Sequence, residues 1–100
     1  MTYEIVVGLQ VVDEDLYTKY REAMTPLLKI YEGGFRYDFE VSNVLKNEEG
    51  RSINRVFTIY FGNKSQMNEF FSNEDYKAVK LKYFESSVEA TTIISEYVRK

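Results

Sequence analysis

Residues 3–12 read YEIVVGLQVV and are apolar at most positions. A strand with one wet face alternates apolar and polar side chains, whereas a strand covered on both faces is largely apolar throughout. We therefore expect a β-strand in the middle of a sheet, with material packed on both of its sides. A chain of 100 residues makes a single domain, here residues 1–100, so few elements remain to supply this double cover.

The segment after this strand predicts a helix. Asp13 suits the N-cap position, and two acidic residues follow it in the first turn. Pro26 does not fit the middle of a helix, so we expect the helix to end near Ala23. A second, short helical piece then begins at Pro26 and runs to Tyr31. Gly33 is expected to end this piece in the left-handed conformation.

Residues 34–46 and 52–62 predict two strands joined by a hairpin. A three-residue loop, Glu48-Glu49-Gly50 with Gly50 at positive φ, places the apolar residues of both strands on one face. In this register Phe39 lies opposite Ile59. Apolar and charged residues alternate along the first strand. We expect the helix side to receive Phe35, Tyr37, Phe39 and Val41, and the other side Arg36, Asp38 and Glu40.

Residues 64–86 predict a helix in two pieces that restarts near Ser72 or Asn73, and the β-branched residues of 91–98 predict the last strand. The order βαββαβ is that of an α+β protein. With right-handed crossovers it gives the ferredoxin-like arrangement, a four-stranded antiparallel sheet of order 4-1-3-2 with the helices on one face. We expect a second copy to cover the other, partly apolar face, so that two sheets form a dimeric α/β barrel.

The composition removes several kinds of chemistry. The chain has no His, Cys or Trp, so the common zinc ligands, a Ser-His-Asp triad and a cysteine nucleophile are unavailable. We expect no metal and no cofactor. The net charge is −3 with scattered basic residues, which predicts no nucleic-acid partner. No apolar run approaches the roughly 20 residues of a membrane span, so we expect no membrane partner and a cytoplasmic protein.

The charged side of the 34–46 strand is the candidate ligand site. In one interpretation it faces a polar pocket, where Arg36 binds an anion and a carboxylate acts as a base. In a second interpretation, which we favour, the charges protect an edge strand from aggregation. A third assigns them to ion pairs at the dimer contact. The candidate ligand-binding residues are Gly8, Gln10, Arg36, Asp38, Glu40 and Tyr60.

Four tyrosines have two interpretations as well. They line a pocket between the helices and the sheet, or, as is more common for such rings, they belong to the core with each hydroxyl bonded to water or to backbone. The four are Tyr17, Tyr20, Tyr76 and Tyr83.

Several segments resemble a known family: YEIV at 3–6, VDEDLYTKY at 12–20, YEGGF at 31–35 and IYFGNKSQMNEFFSNEDYKAV at 59–79. Their succession resembles the small dimeric α/β-barrel proteins catalogued as domain of unknown function 1330, in the ferredoxin-like superfamily. The resemblance implies the fold and a homodimer. It implies no activity, because the activity of that family is itself unassigned. Members usually carry an Arg in the second helix, where this chain has Lys82 or Tyr83.

Three functions remain open. The first is a homodimer that binds a small molecule. The second is a cofactor-independent monooxygenase or isomerase acting on a small aromatic or enolisable compound, activities that occur in the wider superfamily. The third is an assembly module without a ligand. The sequence does not decide whether the chain is an enzyme.

Overall fold

The computed structural model describes residues 1–100. Four strands form one antiparallel sheet of order β2-β3-β1-β4. This is the predicted order 4-1-3-2, read from the opposite edge, so the predicted topology is confirmed. The elements are β1 (Thr2–Val11), α1 (Glu14–Ile30), β2 (Gly34–Glu40), β3 (Arg55–Phe61), α2 (Lys64–Ser72), α3 (Glu74–Val79) continued by a π-helical turn (Lys80–Phe84), and β4 (Val88–Arg99).

The core lies between the helices and one face of the sheet. Alternate residues of β1 and β3 point to the helices, and residues three or four apart on the helices point back. Burial of each large apolar side chain contributes about 1.5–3 kcal/mol. The buried apolar residues are Ile5, Val7, Leu9, Val11, Tyr17, Tyr20, Met24, Leu28, Phe57, Ile59, Phe61, Met67, Phe70 and Tyr76.

Helix α1 continues through Pro26, where we expected a break. A proline removes one backbone hydrogen bond, here to the carbonyl of Glu22. Both residues are exposed, so this carbonyl is available to water. Met24 and Leu28 on the opposite side are buried, and their packing offsets the lost bond.

None of the helices combines the length and apolar composition that crossing a membrane requires.

The end of α1 differs from the prediction in one residue. The left-handed residue is Glu32, with φ 57°, and not Gly33. Gly33 is required for a different reason, because a Cβ there would lie 2.8 Å from the carbonyl oxygen of Tyr60 and 3.1 Å from that of Leu28. The small residue lets the chain pass close to β3 on its way into β2.

Gly33→Ala is therefore expected to lower the free energy of unfolding by about 1–3 kcal/mol, as overpacked sites do. Both neighbouring atoms belong to the backbone and cannot turn aside. Urea unfolding measures the change. Gly50→Ala is the comparison, since its added Cβ meets nothing within 4 Å and only its positive φ costs energy, about 1 kcal/mol. A Gly33→Ala protein as stable as wild type would contradict the close approach.

The connection between β2 and β3 is longer than predicted, because it extends from residue 41 to residue 54. A turn does form at the predicted place. The side chain of Asn47 accepts hydrogen bonds from the N–H groups of Glu49 at 3.1 Å and Gly50 at 3.2 Å. Gly50 has φ 75°, which confirms that prediction. The side chain of Asn47 thus holds the turn together, and no paired strands flank it.

A β-bulge in β2 exchanges the faces that we predicted. Phe35 lies opposite Ile59, and Tyr37 rather than Arg36 lies opposite Thr58. One extra residue moves every later side chain to the other face. The predicted pairing of Phe39 with Ile59 is also wrong, because the longer connection moves β2 along β3 by four residues and places Phe35 opposite Ile59. The predicted orientation holds for Phe35 by register and for Arg36 by its contacts with Glu4 and Tyr60. It is wrong for Tyr37, Asp38, Phe39 and Glu40.

Candidate ligand-binding cavity

A cavity of about 280 Å³ lies between the helices and the sheet. Eleven of its thirteen lining residues are hydrophobic. Pockets for small molecules measure about 300–1,000 Å³ and are mostly apolar with a few placed polar groups. This cavity therefore has the composition of a ligand site and suits a compact molecule. The lining residues are Val7, Leu9, Tyr20, Met24, Phe35, Phe57, Ile59, Phe71, Tyr76, Lys80, Phe84, Thr91 and Ile93.

Two phenol groups meet in the wall of the cavity. The hydroxyl oxygens of Tyr20 and Tyr76 lie 2.8 Å apart, and the two residues are 5% and 4% exposed. Tyr20 lies on the buried side of α1. Tyr76 is positioned by Asn73, whose side chain accepts a hydrogen bond from the Tyr76 N–H at 3.0 Å. Asn73 also donates to the hydroxyl of Tyr31 at 2.9 Å, which ties the start of α3 to the end of α1.

The phenol pair has one proton to spare. Two hydroxyls carry two protons, and the hydrogen bond between them uses one. Burial raises the pKa of Tyr20 and also that of Tyr76, so both remain neutral at physiological pH. The pair can therefore donate one hydrogen bond to a ligand, but it is a poor base.

Tyr76→Phe is expected to lower the free energy of unfolding by about 1–3 kcal/mol, because it leaves the buried hydroxyl of Tyr20 without a partner. The double variant Tyr20→Phe/Tyr76→Phe removes both hydroxyls. Its loss should be smaller than the sum of the two single losses, since no polar group is then left unpaired. Urea unfolding of wild type, Tyr20→Phe, Tyr76→Phe and the double variant measures this coupling. Strictly additive losses would contradict the hydrogen bond.

One charged residue lies at the mouth of the cavity. Lys80 is exposed, and its Nζ lies 5.8 Å from the centre of the Phe84 ring. Both residues belong to the π turn, in which the N–H of Glu85 donates to the carbonyl of Lys80 at 3.2 Å, five residues back. Such π turns are rare in proteins, and many of those that occur lie at functional sites. This one leaves Tyr76, Lys80 and Phe84 all lining the cavity.

An ion cluster supports the cavity wall at Phe35. Arg55 donates two hydrogen bonds to the Asp38 carboxylate at 2.9 and 3.0 Å. Arg21 of α1 lies 3.1 Å from the same group, and its guanidinium carbon is 3.6 Å from the centre of the Phe35 ring. Burial opposes ionisation of Asp38, but the bonds from Arg55 and the charge of Arg21 outweigh it and lower the pKa. Asp38 is thus an ionised link between α1, β2 and β3.

A second charged cluster lies on the sheet face away from the helices. Glu4 is only 1% exposed and accepts a hydrogen bond from the Nε of Arg36 at 2.6 Å. The hydroxyl of Tyr97 donates to its other oxygen, and Arg99 lies 3.6 Å from that oxygen. Burial raises the pKa of Glu4, but the bonds from Tyr97 and Arg36 lower it more. The guanidinium of Arg36 also covers the Tyr60 ring at 4.4 Å.

Comparison with solved structures shows the fold. A protein of unknown function from Rhodopseudomonas palustris aligns with a TM-score of 0.77 at 13% identity, covering 93% of this chain and 78% of its own. A dabb family protein with a ferredoxin-like fold from Mesorhizobium loti aligns with a TM-score of 0.67 at 12% identity, covering 99% and 97%. The fold is ferredoxin-like. At these identities the similarity shows the fold alone.

A third structure with this ferredoxin-like fold is a dimeric protein of unknown function from Jannaschia. It aligns with a TM-score of 0.60 at 12% identity, covering 99% of this chain and 100% of its own. No protein-family model matches the chain, and no curated protein matches it either. The finer resemblance to domain of unknown function 1330 is therefore not confirmed, whereas membership of the ferredoxin-like fold is.

The ferredoxin-like sheet separates the six residues that we predicted as a ligand site. Arg36 and Tyr60 do contact each other, but the guanidinium is occupied by Glu4. Gly8 is covered, because a Cβ there would lie 2.8 Å from the side chain of Ile53 in the long connection. Ligand binding by this set stays a prediction. By register, Gly8, Gln10 and Tyr60 lie on the outer face, and Asp38 and Glu40 on the helix face. Arg36 lies on the outer face by its contacts with Glu4 and Tyr60.

The interpretation of the tyrosines as pocket lining fits two of the four. Tyr20 and Tyr76 line the cavity. Tyr17 is a core residue whose hydroxyl accepts a hydrogen bond from Arg21 at 3.1 Å, and Tyr83 does not reach the cavity. Sequence reasoning missed Lys80, since one lysine on a helix surface resembles any other. The only signal was its position four residues after Tyr76, which puts both on one helix face.

Proposed function

We propose that this chain is a homodimeric protein that binds a compact, mainly apolar small molecule between its sheet and its helices. The cavity of about 280 Å³ with eleven hydrophobic lining residues carries the proposal. Apolar surface removed from water there contributes about 25 cal/mol per Å². The spare proton of the Tyr20–Tyr76 pair supplies one directional contact.

The ionisable groups favour binding over proton abstraction. The phenols in the wall remain protonated because burial raises the pKa of each. Glu4 and Asp38 do not line the cavity. Arginine contacts help to lower the pKa of both carboxyl groups, which makes them weak bases. A monooxygenase or isomerase acting on an aromatic or enolisable compound is therefore the second candidate.

The dimer is the other half of the proposal. On the sheet face away from the helices, Tyr37 and Phe39 stack with ring centres 5.9 Å apart and are 51% and 56% exposed. Tyr97 of β4 is also exposed on this face, at the opposite edge of the sheet. Monomers seldom expose large apolar patches, and a protein of the same fold is described as dimeric. A second copy whose sheet faces this one would bury the patch.

Sedimentation equilibrium tests the dimer. We expect wild type to be dimeric at micromolar concentration, with an interface above about 1,000 Å². Phe39→Lys places a charge in the proposed interface and should give monomers. Leu81→Lys is the control, since Leu81 is 69% exposed on the π turn, among the helices. A monomeric wild type, or dissociation by both variants alike, would refute the proposed arrangement.

Titration with a neutral aromatic probe, naphthalene-2-methanol, tests the cavity. We expect saturable binding to wild type and a large loss in Thr91→Trp, because Thr91 is an exposed lining residue on β4 and an indole there blocks the opening. Glu89→Trp is the matched control, an exposed β4 residue that does not line the cavity. Absence of saturable binding, or equal loss in both variants, would count against the cavity as the site.

A further inference from the structure

We infer that the cavity selects hydrophobic anions, molecules with an apolar body and one negative group such as a carboxylate, with Lys80 holding the charge at the mouth. The inference rests on the proposed function, since it names the class of ligand for the same cavity. The structure assigns the two ends of the ligand separately. The apolar walls receive the body, and the rim receives the charge.

Lys80 is the only charged residue among the thirteen that line the cavity. Its ammonium group forms no salt bridge, whereas Lys77, three residues earlier on the same helix, lies 3.9 Å from the Glu74 carboxylate. The Lys80 ammonium instead lies 5.8 Å from the centre of the Phe84 ring, near the roughly 6 Å limit of a cation–π contact. A free cation thus lies against an apolar wall, where an incoming anion finds it uncompensated.

The polar residues Tyr76 and Lys80 lie one after the other along the cavity wall, from its buried part to its opening. Tyr76 is 4% exposed, and Lys80 is exposed. The two residues are four apart on one helix face, so their Cβ atoms are separated by about 5–6 Å. The ring of Phe84 closes the wall beneath them, with its centre 4.9 Å from that of Tyr20. A ligand of one or two rings in the cavity therefore reaches both the spare phenol proton and the ammonium group.

The charge of Lys80 at the mouth is expected to discriminate between an anion and a neutral molecule, and to contribute little to the total affinity of either. An ion pair at a partly exposed rim is weakened by water, whereas one that shields its charges from solvent is stronger. We expect Lys80 to raise the affinity for an anion about two- to fivefold over that for a neutral molecule of the same shape. The apolar walls act equally on both molecules, so the difference between them isolates the lysine.

Isothermal titration calorimetry with naphthalene-2-carboxylate and naphthalene-2-methanol tests the inference. Wild type should bind the carboxylate about two- to fivefold more tightly. Lys80→Gln should remove this preference and leave the affinity for the alcohol unchanged. Lys77→Gln, which removes a nearby charge from the same helix, should leave both affinities unchanged. Lys80 is exposed, so its replacement does not disturb the core.

The outcomes separate the two proposals. Equal affinity for both probes in wild type, or an equal effect of Lys77→Gln and Lys80→Gln on the carboxylate, would overturn the selection of anions and leave the cavity as a binding site. Failure of both probes to bind would overturn the binding function itself, and this inference with it. Loss of the alcohol as well as the carboxylate in Lys80→Gln would show that the lysine shapes the wall, and would contradict its role as the anion contact.

Discussion

Phe70→Ala is expected to lower the free energy of unfolding by about 3–5 kcal/mol, the range measured when a buried aromatic ring is deleted. Phe70 is 0% exposed. Its ring centre lies 4.4 Å from that of Tyr76, 5.4 Å from that of Phe61 and 6.0 Å from that of Tyr31. The deletion therefore opens a hole where α2, α3, β3 and the end of α1 meet, and these rigid neighbours cannot collapse into it.

The next residue provides a matched control. Phe71 has the same side chain but is 40% exposed, so Phe71→Ala is expected to cost only about 1 kcal/mol. Urea unfolding of the two variants measures the difference directly. A larger loss for Phe71→Ala would mean that α2 is rotated on the sheet by about one residue, since neighbouring residues point to different sides of a helix.

Arg36→Met is expected to lower the free energy of unfolding by about 3 kcal/mol. Removal of one member of a buried ion pair typically costs about 3–5 kcal/mol, because the other charge stays buried without compensation. The carboxylate of Glu4 is 1% exposed and cannot move into water. Tyr97 and Arg99 still contact it, which places the expected loss at the lower end of that range.

The double variant Glu4→Leu/Arg36→Met separates the pair from the packing of its side chains. Both charges are then absent, and apolar residues of similar volume replace them, a change that is often neutral or stabilising. We expect the double variant to be more stable than Arg36→Met alone. A double variant less stable than the single one would contradict the view that the buried Glu4 carboxylate, left without Arg36, causes the loss.

The stability of the protein at low pH should also depend on the Glu4 carboxylate. The folded pKa of Glu4 is lowered from its ordinary value of 4.5. Its contribution to stability is therefore complete above pH 4.5 and is lost as the pH falls towards the folded pKa. Asp38 behaves in the same direction, so wild type must be compared with Glu4→Gln, in which Asp38 is unchanged. The difference in stability between the two proteins should shrink below pH 4.5, and a constant difference would contradict the assignment.

Local patterns in the sequence determined the order of elements and the sheet topology. Apolar residues on both sides of 3–12 predicted β1 as a central strand, and the N-cap at Asp13 predicted the start of α1, where Asp13 accepts a hydrogen bond from the Leu16 N–H at 3.0 Å. The second helical region was predicted to restart near Ser72 or Asn73, and Asn73 is the N-cap of α3. These features depend on residues a few positions apart, so the sequence alone carries them.

Only the tertiary structure decided which face each residue of β2 occupies. Apolar and charged residues alternate along 35–41 whether or not β2 contains a bulge. The side-chain contacts in the folded protein decide between the two arrangements. The bulge after Phe35 allows the rings of Phe35 and Phe57 to pack edge to face, with centres 5.3 Å apart. It also brings Asp38 to Arg21 and Arg55. A shift by one residue exchanges the two faces, so a pattern of period two cannot show where the shift occurs.

The candidate site was predictable only in part, because the sequence indicated Tyr20 and Tyr76 among four candidate pocket residues but not the contact between them. Tyr20 and Tyr76 are 56 residues apart in the chain, and their hydroxyls meet only because α1 and α3 pack on the same face of the sheet. Lys80 lines the same cavity from the turn that follows α3. Hydrophobic periodicity reports which side of a helix is buried. The space left between two packed elements depends on the sizes of side chains from both, and only the assembled fold sets it.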